Sequence, residues 1–492
     1  MNDIGKRTFV GVIWSFIATW GAEVLTFLVV IILARLLTPE EFGIVALASL
    51  FVFVCREIIK WSVSRTLVQL QNAEPEHFDT AFWGTLAITT TCALVILVFA
   101  EQIAATFDSD VLADLIPWMV PILIFSGVET VQESWLMRRL DFKALAKRAL
   151  IAVTLGGLVA IALAVAGYGL WSLVAQQLVM AATNMALIWV YCDWRPQLRL
   201  SYPHAKQIFD VGKYMSGTSV CYMLGSRGSQ FVIGLFLGPA AVGLYNVGQR
   251  IRRMLLNSTS GAMARVYLPA LSRVLEQDKG SFPKAFTDAQ RLSAVVSLPI
   301  FAGLACTAEE VVLVILGAQW VDGIPVVRFL ALAGFLQASL SVSITAVIAL
   351  GRADLEFKVA VASTTFRLVL FLVAVNWGIV AVAAAEASSV LLIEPVYLWF
   401  VIRLSSVTPR HYLQAMAPLI GATAIMAAAV LALKVALQDV LSPFAALPIL
   451  VGLGGLVYVV ALFLLSPAAT RELAAAGLDM VRRQHPTAEK TA

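Results

Sequence analysis

The stretch Leu237–Leu256, LGPAAVGLYNVGQRIRRMLL, places an apolar helix behind a Leu-Gly-Pro turn and then loads it with Arg250, Arg252 and Arg253. A guanidinium at the centre of a bilayer costs roughly 2.5–3.5 kcal/mol or more, so arginines on such a helix face a protein interior or a wet cavity rather than lipid. The start of the stretch is also a copy. Leu37, Pro39 and Gly43 recur roughly two hundred positions later as Leu237, Pro239 and Gly243. The copy bears on the fold, and the charge on the site.

Of the 492 residues, 60% are hydrophobic and 13% charged, far from the ~45–50% apolar and ~25% charged usage of soluble domains. Apolar runs recur along nearly the whole chain, each close to the ~20 residues a helix needs to cross hydrocarbon. These runs are too long for barrel strands of about ten alternating residues. The expected class is therefore an all-α membrane protein. Cys55, Cys92, Cys192, Cys221 and Cys306 are dispersed, and so are His77, His204, His411 and His485. Their spacing implies no disulfide framework and no metal site. The apolar run Phe9–Leu33 behind Lys6 and Arg7 is too long for a signal-peptide core and reads as a retained span.

Fourteen spans are expected, near 8–33, 42–59, 80–99, 115–136, 144–166, 170–191, 208–237, 241–266, 292–316, 326–350, 357–375, 379–402, 412–437 and 444–465. Loop lysines and arginines crowd one side, among them Lys6, Arg7, Lys60, Arg138, Arg139, Lys143, Arg148, Arg195, Arg199, Lys206, Lys279, Arg352, Arg403 and Arg410. The other side offers little beyond Arg35 and Lys434. The cation-rich side is the cytoplasmic one. Both termini belong there, in agreement with an even span number. Glu129 and Glu133 lie one turn apart on the fourth span and approach Arg138 and Arg139, with which they are expected to balance charge. Glu309 and Glu310, near an outer span end, are expected to meet water.

Repetition continues beyond the first turn. Leu140-Asp141-Phe142-Lys143 is echoed by Leu355-Glu356-Phe357-Lys358, and Gly169 by Gly378, in the same order. Six spans return the chain to its starting side, so the repeat predicts two pseudo-symmetric six-helix lobes in parallel around a central cavity. The N-terminal lobe is 1–200 and the C-terminal lobe 201–410, followed by two additional helices in 411–466 and a cytoplasmic tail, 467–492. Within the tail, 468–483 reads as a short amphipathic surface helix and 485–492 as disordered. The short loops leave no room for an extramembrane catalytic domain, and no catalytic residue, metal or cofactor is expected.

A rise of about 1.5 Å per residue puts Glu23, Arg227 and Arg250 near mid-membrane, with Arg56 and Arg253 somewhat towards the cytoplasm. If the lobes superpose, position 56 maps close to 253. Arg227, Arg250, Arg253 and Arg56 are the candidate substrate-binding residues, a cationic lining whose guanidinium forks suit a phosphate or pyrophosphate. Snorkelling to head groups is the structural alternative for Arg56 and Arg253. Arg252 points away from the face of Arg250 and Arg253. Glu23, as a partner of Arg227 or a proton carrier, and the mid-depth pair Arg367 and Glu386 are the candidate coupling or charge-pairing residues. Asn246 and Gln249, like Gln176 and Gln177, either line a polar path or pack helices.

The segment Ile32–Gly43 (ILARLLTPEEFG), with Arg139-Leu-Asp-Phe-Lys143 and Gly167-Tyr-Gly-Leu-Trp171, resembles the bacterial polysaccharide biosynthesis and lipopolysaccharide flippases of the multidrug/oligosaccharidyl-lipid/polysaccharide exporter superfamily. The resemblance covers about residues 5–410. It implies two lobes around a cleft in the bacterial inner membrane. It also implies alternating-access translocation of an undecaprenyl-pyrophosphate-linked oligosaccharide, a polysaccharide, exopolysaccharide or lipopolysaccharide precursor. The implied partners are that lipid-linked glycan, membrane lipids, a polysaccharide polymerase and glycosyltransferases, with no nucleic acid. The alternatives are a cation-coupled multidrug exporter of the same superfamily, which would favour twelve spans and an acidic, aromatic cavity, and a membrane polymerase or ligase, which would need a large outer loop.

Overall fold

The computed structural model of the chain describes residues 3–70, 73–438 and 440–466, with the side chains of 3–13, 15–19, 61–62, 65, 69, 211–222, 224, 226 and 260–265 left out. The long helices come in the order α1 (Asp3–Leu36), α2 (Pro39–Gln69), α3 (Pro75–Val98), the short α4 (Ala100–Thr106), α5 (Asp110–Arg138), α6 (Phe142–Val165), α7 (Trp171–Tyr191) and α8 (Tyr202–Leu256). They continue as α9 (Ala262–Gln277), α10 (Phe282–Cys306), the short α11 (Ala308–Val311), α12 (Ile324–Ser339), α13 (Ser341–Ala349), α14 (Ala353–Ala374), α15 (Ile379–Leu404), α16 (Pro409–Leu437) and α17 (Pro443–Leu465). Twelve helices among the described residues are long and apolar enough to cross a membrane. The first and seventh of the fourteen expected spans fall on α1 and the first part of α8, where side chains lie partly outside the described residues. The tail expected as a surface helix and a disordered end lies wholly outside them.

Packing divides the chain into two compact units. One comprises Met1–Val247, Leu316–Asp322 and Ala360–Val382, the other Gly248–Ile315, Gly323–Val359 and Ala383–Ala492. In the first unit α1 lies on α6, α2 on α5, and α6 on α7. Helices in hydrocarbon associate through close packing at small residues, and glycines mark these seams. A Cβ on Gly157 would meet Val29 at 2.4 Å, and one on Gly156 would meet Met180 at 2.3 Å. The first part of α8 meets α14 in the same manner, with Gly225 against Thr364 and Gly228 against Leu368.

The repeated turns are built differently and meet each other. At α2 the side chain of Thr38 accepts from the Glu41 N–H at 3.3 Å, and the Glu41 carboxylate accepts from the Thr38 N–H at 2.7 Å. Pro39 sits where the first helical N–H has no partner in any case. The second copy has no such box. Instead α8 breaks at Gly238 (φ 78°) and restarts at Pro239, a conformation open to glycine and strained for side-chain-bearing residues. Gly43 lies against the Pro239 carbonyl and Gly243 against that of Pro39; a Cβ would stand 1.7 Å and 1.8 Å from those oxygens. The two helix starts thus cross at their glycines, each over the other's proline. Beside them the C-terminal carbonyls of α1 are capped from the 316–322 turn. Trp320 Nε1 donates to Ala34 O at 2.8 Å and Gln319 Nε2 to Leu37 O at 2.8 Å.

The second sequence echo is displaced by one helical turn. Leu140 (φ 57°) turns the chain into α6, whereas Gly351 (φ 75°) turns it into α14. The turn matching Leu140 is therefore at Gly351, and Leu355 already lies inside α14.

In the second unit α10 packs on α12 and α16, and α16 on α17. The break between α12 and α13 at Leu340 is closed by a fully buried side chain. Gln290 of α10 donates to Ala338 O at 3.3 Å and accepts from Val342 N at 3.1 Å, replacing the helical bonds the break interrupts. The last two helices are tied in by Tyr412 Oη donating to Ser339 O (3.2 Å), Tyr458 Oη donating to Val295 O (2.9 Å), and Lys434.

Candidate functional site

On α2, Ser49, Phe53 and Arg56 follow one another at spacings of four and three and so share a helix face. Gln177 of α7 lies 3.2 Å from the Ser49 hydroxyl, which donates to it. Further along the face, the Phe53 ring carries two cations: the Arg56 guanidinium carbon at 4.6 Å from its centroid and that of Arg227, from α8, at 5.3 Å. The negative face of an aromatic ring draws each guanidinium with about 0.5–1 kcal/mol in exposed settings and ~2 kcal/mol when desolvated. Phe53 thereby offsets part of the repulsion between two like charges.

Each cation has a polar partner. Arg56 reaches Glu57 at 3.3 Å, both side chains about one-third exposed. Arg227 Nη1 donates to Gln230 Oε1 at 3.1 Å, and Gln230 Nε2 donates to Asn246 Oδ1 at 2.8 Å. Gln230 is buried, so this amide relay fixes the Arg227 fork from behind and ties the two parts of α8 together. The result is a partly solvated pair of guanidiniums beside the Glu57 carboxylate and a row of amides. Such a set can hold a multiply charged oxyanion through paired N–H donors and neighbouring hydroxyls through the amides.

The structure thus brings together Arg56 and Arg227 of the expected set. Arg250 is half-buried and Arg253 exposed, about one and two turns beyond Asn246 on α8. Arg252 is buried and pairs with buried Glu386 at 2.9 Å. The Arg252 side chain leaves the face of its neighbours to reach Glu386 on α15. Glu23 is half-buried on α1. Phe53 and Gln230 were not among the expected residues, although each stands three residues from an arginine it serves, a spacing that places it on that arginine's side of the helix.

Two charge assignments change. Glu133 pairs with Lys60 at 3.0 Å and Arg148 at 3.4 Å, and Glu129 with Arg148 at 3.7 Å. Their helix face turns inward to α2 and α6, while Arg138 caps the carbonyls at the end of α2, donating to Leu67 O at 2.8 Å, and Arg139 meets Asp193. Glu309 and Glu310 do not simply meet water. Lys434 of α16 binds both, at 2.9 and 3.0 Å, and Glu310 is buried. The histidines are also less scattered than their spacing suggests, since His77 and His204 lie ring against ring with centroids 4.1 Å apart.

A family model described as "Polysaccharide biosynthesis protein" matches residues 32–325. The chain is similar to the succinoglycan biosynthesis transport protein ExoT of Rhizobium meliloti, 29% identical over 96% of both chains. It also resembles the lipopolysaccharide biosynthesis protein WzxC of Escherichia coli, 21% identical over 76% of each. Among solved structures, the lipid II flippase MurJ in an inward closed conformation superposes with a TM-score of 0.76 at 15% identity, over 92% of this chain and 98% of that one. An inward-facing multidrug resistance MATE family transporter of the MOP superfamily gives 0.63 at 16% identity, over 78% and 95%. At these identities the structural likenesses establish the fold alone.

Proposed function

The chain belongs to the polysaccharide biosynthesis protein family of membrane transporters and flippases, and on that premise we propose that it moves an undecaprenyl-pyrophosphate-linked oligosaccharide across the bacterial inner membrane. The observation that carries this reading is the pair Arg56 and Arg227 on the single ring of Phe53. The two guanidiniums bind the pyrophosphate, and the amides of Gln230, Asn246 and Gln177 meet the hydroxyls of the first sugars. The prenyl chain stays in lipid. Arg250 and Arg253 are further candidates for binding the substrate's charge, and Glu23 answers Arg227 between substrates. Both termini lie in the cytoplasm, and the repeated halves, 1–200 and 201–410, act as two lobes that rock between inward- and outward-facing states. A cationic drug is poorly matched to two arginines.

The test is transport of a lipid-linked oligosaccharide in proteoliposomes. Arg56→Ala with Arg227→Ala is expected to abolish transport while leaving the thermal unfolding midpoint near wild type. The corresponding lysine pair should restore part of the rate, because an ammonium keeps the charge and loses the fork. Wild-type transport by the double alanine variant would refute the assignment.

A further inference from the structure

A second cluster lies at the entrance of α3 and has no part in the arginine site. Glu74 is the N-cap of α3 and His77 the third residue of the helix. The His77 ring is 4% exposed. Its Nδ1 accepts from the Glu74 N–H at 3.2 Å, and its Nε2 lies 2.9 Å from Gln207 Oε1. An amide oxygen only accepts, so Nε2 carries the proton and the lone pair is on Nδ1, turned towards Glu74. His204, from the opening of α8, packs against this ring at a 60° tilt and presents Nε2 at 3.9 Å from Glu74 Oε2. The other ring nitrogen of His204, Nδ1, is buried and makes no hydrogen bond, a costly arrangement for a polar atom. One ligand atom from each of the three residues falls within 4.8 Å of the others.

We propose that Glu74, His77 and His204 form a binding site for a divalent transition metal ion of the zinc type. Two imidazoles and a carboxylate are the donor set such ions take, and three protein ligands leave a fourth position for water. Gln207 supplies the outer hydrogen bond that orients a ligating histidine, with the ion displacing the long 3.2 Å cap bond at His77 Nδ1. The ion also has a structural consequence. The segment joining α7 to α8 is already strapped to α3: Asp79 accepts from Gln197 N at 3.0 Å, and Thr80 accepts from Ser201 N at 3.2 Å. An ion bridging His77 and His204 adds a second tie between α3 and α8 beside the His77–Gln207 bond, so its occupancy sets how firmly the connection between the repeated halves is held.

The test is titration of the chelator-treated full chain in detergent with Co²⁺, followed by visible absorption and by calorimetry. Wild type is expected to take up one equivalent with the intense bands of four-coordinate cobalt. His204→Asn, at a half-buried position, should remove the bands, and Gln207→Leu should weaken binding roughly tenfold. Lys206→Ala, between those two positions, should bind like wild type. Absence of Co²⁺ uptake by wild type, or equal uptake by His204→Asn (an adventitious ion only), would overturn the site. His77→Gln adds a second ligand test where its fold is retained.

Discussion

The crossing of the repeated turns gives the sharpest expectation. Gly43→Ala would place a methyl carbon 1.7 Å from the Pro239 oxygen, 2.5 Å from its carbonyl carbon and 3.0 Å from Gly243 N; Gly243→Ala would place one 1.8 Å from the Pro39 oxygen. Carbon and oxygen in contact stay about 3.3 Å apart or more, so one methyl must part the helix starts by about 1.5 Å. Overpacking usually costs ~1–3 kcal/mol. Here every obstructing atom is backbone and the carbonyl belongs to a proline, so each variant is expected near the top of that range, ~3 kcal/mol. The contacts are reciprocal, and a separation that frees one glycine position also relieves the other. The double variant should therefore lose about 3–4 kcal/mol rather than the ~6 kcal/mol of independent sites. Equilibrium unfolding in mixed micelles, with all four members of the cycle, measures both quantities. A neutral Gly43→Ala, or losses that simply add, would refute the crossing.

Three further outcomes are expected. Phe53→Leu removes the ring shared by Arg56 and Arg227 and forfeits about 0.5–2 kcal/mol of cation–π attraction; substrate KM in the transport assay should rise several-fold with little change in unfolding midpoint, whereas Phe53→Tyr should hold it. Lys434→Met leaves Glu309 and Glu310 without their cation. The cost should be about 2 kcal/mol, less than the ~3–5 kcal/mol of a fully buried pair because Glu309 is half exposed, and adding Glu310→Gln should recover part of it. Gln290→Leu strands Ala338 O and Val342 N at the α12–α13 break, at about 1–3 kcal/mol for each group; Gln290→Glu should not rescue, since it lacks the donor for Ala338 O. The unfolding free energy in micelles reports each change.

What the sequence determined by itself was local. Hydrophobic length and composition fix helices that span a membrane, because a backbone in hydrocarbon must satisfy its own hydrogen bonds. The Leu-x-Pro-x-x-x-Gly copies mark equivalent helix starts, because a turn's requirements for proline and glycine are written in neighbouring residues. Arg56 and Arg227 were legible for the same reason: charge in an apolar run is visible without a structure. Partners separated along the chain were not legible. Phe53 beneath Arg227, Lys60 and Arg148 around Glu133, Lys434 between Glu309 and Glu310, and Glu386 on Arg252 all depend on which helix faces which. A charge in a low-dielectric interior will take whichever opposite charge packing brings within reach, and sequence spacing does not encode that choice. The same holds for His77 and His204, scattered along the chain and in ring contact in space. The glycine copies are the intermediate case. Their repetition was plain in the sequence, but only the tertiary structure put each glycine against the other's proline, because van der Waals contact is a property of packed helices and not of a turn.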